Sequence, residues 1–163
     1  MNNQRAADLI ADCKNDLERI AILIEALGST NRAVPFLTKY AIVKVCGTLE
    51  QCFKTIICDF ASNNQSQQVR NFIDISFRES SINPSLERIH ESLKKFDIRW
   101  RDAFKGSLNT HADKERICDS VKSLNNARNV FAHGGNPQTT FNDVENYFED
   151  AKIIIQYIDD SVI

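Results

Sequence analysis

The stretch Asn126-Ala127-Arg128-Asn129-Val130-Phe131-Ala132-His133-Gly134-Gly135 ends a helical pattern with an arginine, a histidine and a glycine pair, and the rest of the chain is read around it. At about 100° per residue, Ile117, Val121, Leu124 and Phe131 fall on one side of a helix running from about Asp113 to His133, with Arg128 in the middle of that side. A guanidinium keeps its charge when buried, so an arginine in an apolar stripe needs a paired carboxylate or an anion-binding cleft. His133 lies roughly 140° further round the helix, while Asn129, four residues before it, is nearly in line. One helix therefore cannot stack Arg128 directly under His133. Both can serve one phosphate only if the arginine reaches round, the helix end distorts, or a second subunit completes the site.

Outward from this stretch the punctuation is helical. Gly134-Gly135-Asn136-Pro137 reads as a C-cap followed by a helix stop, and Asn109 or Thr110 as the opening of the same helix. Thr140 begins a last helix with Asp143 at a capping position and Phe141, Val144, Tyr147, Phe148, Ala151, Ile154, Ile155 and Ile158 facing inward. Upstream, Asn2 or Asn3 caps a first helix that Gly28-Ser29-Thr30-Asn31 stops. A second helix from near Val34-Pro35 to about Ala61 is apolar round much of its circumference and should be the centre of a bundle. Within it Glu50 sits at the flank of the apolar face, with the same burial problem as Arg128. Pairing would relieve both, so Glu50 is expected to meet Arg128; the alternative is that Glu50 tips outward to solvent.

Ser62 to Gln68 is a polar linker, followed by a short helix around Val69 to Arg78. Ile82-Asn83-Pro84-Ser85-Leu86-Glu87 reads as a helix start with Asn83 as N-cap and Pro84 at the first position. Phe96 to Phe104 reads as a break and a short helical turn around Trp100. The Arg99-Trp100-Arg101 triplet suits stacking on nucleobases, but packing over a bundle end is the favoured reading. The expectation is a single domain over residues 1–163, an all-α, five- or six-helix up-and-down bundle.

Composition narrows the class. A chain of 163 residues can build one core without staples, and five glycines and three prolines with 42% hydrophobic residues describe a loop-poor helical protein. A formal charge of -2 argues against a protein that coats nucleic acid through clustered cations, without excluding an enzyme that grips RNA at one pocket. Cys13, Cys46, Cys52, Cys58 and Cys118 are odd in number, lie within helical patterns and form no C-x-x-C, so a reduced, cytoplasmic chain with core thiols is expected, and no metal site. The N-terminus lacks an apolar signal core and no run approaches a membrane span.

Arg128-Asn129-Val130-Phe131-Ala132-His133 resembles the R-x4-H signature of the HEPN superfamily of small helical RNases. The longer run Leu124 to Gly134 is similar to the form found in the branch labelled RiboL-PSP-HEPN. Leu49-Glu50 in the second helix, Ile82-Asn83-Pro84, Leu93-Lys94-Lys95-Phe96 and Trp100 agree with that branch, so the resemblance covers roughly Val34 to Gly135. It implies an endoribonuclease without cofactor or metal that pairs its motif helices across a two-fold axis, so that two arginines and two histidines line one cleft. It also suggests toxin–antitoxin or antiviral defence biology, with an antitoxin or regulatory protein as a further partner. In HEPN toxins silenced by nucleotidylation the acceptor is a tyrosine two positions after the motif histidine; this chain departs from that pattern, with Gly135 at the position.

RNA carries its own nucleophile, the 2′-OH. Cleavage needs a base for its proton, a cation for the charged phosphorane and an acid for the 5′-oxygen. Histidine suits proton transfer near neutrality, and the arginine fork stays charged and binds two oxygens. The expected roles are His133 as general base or acid, Arg128 as electrostatic stabiliser, Asn129 as a hydrogen-bond partner of His133 or the phosphate, and Glu50 as the group that fixes Arg128. Two other readings remain. Arginine and histidine at a helix C-terminus can simply complement the dipole or cap the helix, and a non-catalytic HEPN module would dimerise and bind RNA, nucleotide or a partner protein.

Overall fold

A computed structural model describes all of residues 1–163. The chain folds into α1 (Gln4–Leu27), α2 (Val34–Ala61), α3 (Gln67–Ile73) running into a π-helical turn (Asp74–Arg78), α4 (Leu86–Phe96), α5 (Ile98–Thr110), α6 (Lys114–Ala132) and α7 (Phe141–Ser161). The all-α expectation holds, with seven helices for the five or six anticipated. Central position goes to α2, which packs against α1, α6 and α7 and buries fourteen residues, including Leu49, Phe53 and Ile57.

The interior has two parts. One lies between α2, α4, α5, α6 and α7 and holds Leu49, Phe53, Ile89, Phe104, Ile117 and Ile154. The other, between α1, α2, α6 and α7, holds Cys13, Leu17, Ile42, Cys46, Leu124 and Phe148. Four of the five thiols are fully enclosed, as small core residues. Buried Asp150 of α7 receives Ser120 Oγ at 2.6 Å and the Arg116 guanidinium, which ties α6 to α7.

Several helix ends match their chemistry. The Asn3 side chain accepts from Ala6 N, and Thr140 with Asp143 forms a reciprocal capping box. Others differ from expectation. Ser85, not Asn83, caps α4, and Pro84 is buried just before the helix. The segment around Trp100 is a full helix of 13 residues, because Asp97 caps it and Trp100, Phe104 and Leu108 recur every four residues. Trp100 packs at a bundle end, with its Nε1 donating to Ile163 O at 3.0 Å and its ring stacked on Phe96. Asn109 and Thr110 consequently finish α5 rather than open α6, which begins after Asp113.

Candidate active site

The motif occupies the last turns of α6, the helix that lies across both parts of the core. Ile117, Val121, Leu124 and Ala127 are buried and hold its inner face, whereas Phe131 is 38% exposed because the last turn runs past the core. The helix ends on His133, which takes the C-cap position. Gly134 N–H donates to Phe131 O at 2.9 Å and Gly135 N–H to Val130 O at 2.8 Å, a Schellman closure. Gly134 has φ +80, and a Cβ on Gly135 would stand 2.8 Å from Val130 Cγ1, so both glycines are required by the turn.

Arg128 is half-buried, and no carboxylate lies within ion-pair distance of it. Its Nη1 donates instead to Asn129 Oδ1 at 3.3 Å. The expected contact with Glu50 is absent. Glu50 Oε1 accepts from Lys54 Nζ at 2.8 Å, one turn along α2, and from Ile82 N–H at 3.0 Å. The reason is that Lys54 is itself only 2% exposed, so the acid satisfies a more deeply buried cation on its own helix. Arg128 and Glu50 both act on Cys46, whose thiol burial pushes up to about 12, the guanidinium pulling it down and the carboxylate adding to the rise.

Asn129 is half-buried beside the arginine, and its Oδ1 also receives Asn83 Nδ2 at 3.5 Å. The imidazole of His133 is exposed and makes no hydrogen bond to either neighbour; only its backbone N–H is engaged, donating to Asn129 O at 3.1 Å. One chain therefore brings Arg128 and Asn129 together and leaves the exposed His133 imidazole bonded to neither. No three His, Cys, Asp or Glu side chains converge to hold a metal ion.

The segment before α4 forms one wall of the site and is held from beneath. Lys54 Nζ donates to Ser80 O, Glu50 accepts from Ile82 N–H, and Asn125 Nδ2 donates to Pro84 O at 3.3 Å. Asn125 is buried, and its Oδ1 receives the Cys46 thiol at 3.4 Å. Sequence reasoning missed Lys54 and Asn125, although each left a signal: a lysine inside Cys52-Phe53-Lys54-Thr55-Ile56-Ile57, and an amide one turn past Val121 on an apolar face.

Hollows flank the end of α6. A groove of about 410 Å³ lies between the start of α4 and α6, with Asn83, Asn125, Asn126 and Asn129 on its walls. A larger one of about 670 Å³ lies between the start of α2 and the segment 136–141. At its edge Lys39 Nζ donates to Asn136 Oδ1 at 2.6 Å and sits 5.5 Å from the Phe36 ring and 5.7 Å from the Phe131 ring. Phe36, Tyr40 and Val43 recur on one face of α2 and are all exposed, Phe36 at 71%.

No helix is long and apolar enough to cross a membrane. No curated protein and no solved structure matches the chain. The family model described as RiboL-PSP-HEPN matches residues 2–163, and the protein belongs to that HEPN family.

Proposed function

We propose that the protein is a metal-independent endoribonuclease that cleaves RNA by attack of the 2′-OH on the adjacent phosphorus, leaving a 2′,3′-cyclic phosphate and a free 5′-OH. The observation that carries this reading is the half-buried Arg128 guanidinium with no acid to neutralise it. A guanidinium left without a counter-charge is free to take an anion, and a phosphate diester matches its fork. Asn129 Oδ1 holds the guanidinium, so the fork is oriented before substrate arrives.

His133 supplies proton transfer. It takes the 2′-OH proton as the O–P bond forms or gives a proton to the 5′-oxygen as the P–O bond breaks. Within one chain it is not aligned with Arg128, and the second group comes from a partner copy docked through the motif helices. Exposed Phe36, Tyr40 and Val43 of α2, continued through Lys39 to Phe131 of α6, favour such a homodimer, because an apolar strip beside an incomplete site is explained by a second copy covering it. On this reading the wider role is that of a toxin or defence effector acting on cellular RNA, restrained by an antitoxin or regulatory protein.

The reading is tested by incubating the purified protein with total RNA in excess EDTA and identifying the fragment ends. Cleavage leaving cyclic phosphates, absent with His133→Ala, supports it. Intact RNA from folded dimer favours a binding module, and cleavage by the His133→Ala protein removes the proposed mechanism.

A further inference from the structure

The groove between α4 and α6 has a chemistry that phosphate binding does not explain. Four carboxamides line it, but they are not equivalent. Asn125 is committed to Pro84 O, Val121 O and the Cys46 thiol, and serves the fold. Asn126 is exposed, and its side chain makes no hydrogen bond within the protein. Asn129 has its oxygen engaged by Arg128 and Asn83 while its NH₂ group is unused. Asn83 Oδ1 has neither a partner nor solvent access. The Asn126 amide and the Asn129 NH₂ group are therefore the free donors and acceptor on the walls of this space, which Val121 and Leu86 also line, while Asn83 holds the Asn129 oxygen from behind.

We propose that this groove is a subsite for one unpaired nucleobase of the RNA, held against Val121 and Leu86 and read on its hydrogen-bonding edge by Asn126 and Asn129, with Asn83 positioning Asn129. The inference rests on the ribonuclease reading for its substrate class and adds where that substrate's sequence is sensed. Carboxamides place a donor and an acceptor side by side, the arrangement a base edge presents, and they carry no charge. The rim holds Glu87 and Asp119 against the single cation Lys122, which disfavours a second phosphate in the groove and suits a neutral ring. The bond between Arg128 and Asn129 joins the two subsites, so a phosphate at the guanidinium leaves a neighbouring base facing the amides. A paired base has its edge occupied, so the groove selects single-stranded segments and loops.

The test is equilibrium binding of four fluorescently labelled homopolymeric oligonucleotides, of A, C, G and U, made with 2′-fluoro sugars that lack the nucleophile and cannot be cut. The parent protein is expected to bind one of them about 5-fold or more tighter than the others, as one well-formed base contact provides. Asn126→Ala, at an exposed position that leaves folding intact, is expected to bring that oligonucleotide down to the affinity of the rest, and Asn83→Ala to narrow the gap. Equal affinities in the parent, or a preference that survives both substitutions, overturn the subsite. Cleavage of natural RNA is scored separately. Base preference without cleavage retains the groove and rejects the ribonuclease reading, whereas cleavage without base preference does the reverse.

Discussion

Arg128 is the residue at which folding and function pull apart. A half-buried guanidinium with one amide partner contributes little to the fold, so Arg128→Ala is expected to change unfolding free energy by no more than about 0.5 kcal/mol while lowering RNA cleavage by at least ~100-fold. Exposed His133 should behave alike, with unchanged thermal melting and cleavage lost, as checked by calorimetry beside a single-turnover assay. A large drop in stability for either variant would mean that these side chains serve the helix end rather than chemistry. Arg128 was legible in the sequence because its position in an apolar stripe is a violation that needs a reason. The partner assigned to it was not. Glu50 stood at a similar depth, but nothing in the spacing shows that Lys54 is the more deeply enclosed cation, since burial depends on how the segment before α4 folds back over α2.

Between elements, the Lys54–Glu50 pair fastens the wall carrying Asn83 to the central helix. Removing the lysine leaves a largely enclosed carboxylate without its counter-charge and Ser80 O unmatched, so Lys54→Ala should cost about 3 kcal/mol in urea unfolding, and the double change Lys54→Met with Glu50→Gln clearly less. Equal losses for the two would show that the pair is not coupled. A second link between elements concerns α4 and α5, where His90 packs edge-on against Phe104 at 5.0 Å. Burial lowers its pKa from 6.5, and Lys105 and Arg101 lower it further. The unfolded chain then takes up the proton first as pH falls, so His90 favours the folded state fully above about pH 6.5 and progressively less below it. Melting temperature should therefore fall as pH is lowered below about 6.5, and fall less steeply in His90→Gln. Helix identities were readable here from period and caps, but boundaries were not: charge density around Trp100 masked a helix whose apolar residues recur every four positions, and Ser85 outcompeted Asn83 as cap because Asn83 turns to Asn129.

Across the whole molecule, the bundle itself was legible because long amphipathic runs separated by glycine and proline leave few other arrangements. The grooves beside the motif were not, since they are made by segments far apart in sequence, such as 83–87 meeting 118–129. What one chain leaves open is the relation of Arg128 to His133, which are five residues apart at the same helix end and share no hydrogen bond. The proposed dimer through α2 and α6 would answer this by supplying each group from a different subunit. The measurement that tests the account most directly is to co-express Arg128→Ala and His133→Ala chains under different affinity tags, isolate the mixed dimer and assay it on RNA in EDTA beside the two variant homodimers. Both homodimers are expected to be inactive and the mixed dimer, which keeps one arginine and one histidine on opposite subunits, to cleave. A mixed dimer as inactive as its parents, or a variant homodimer that cleaves by itself, would contradict the account.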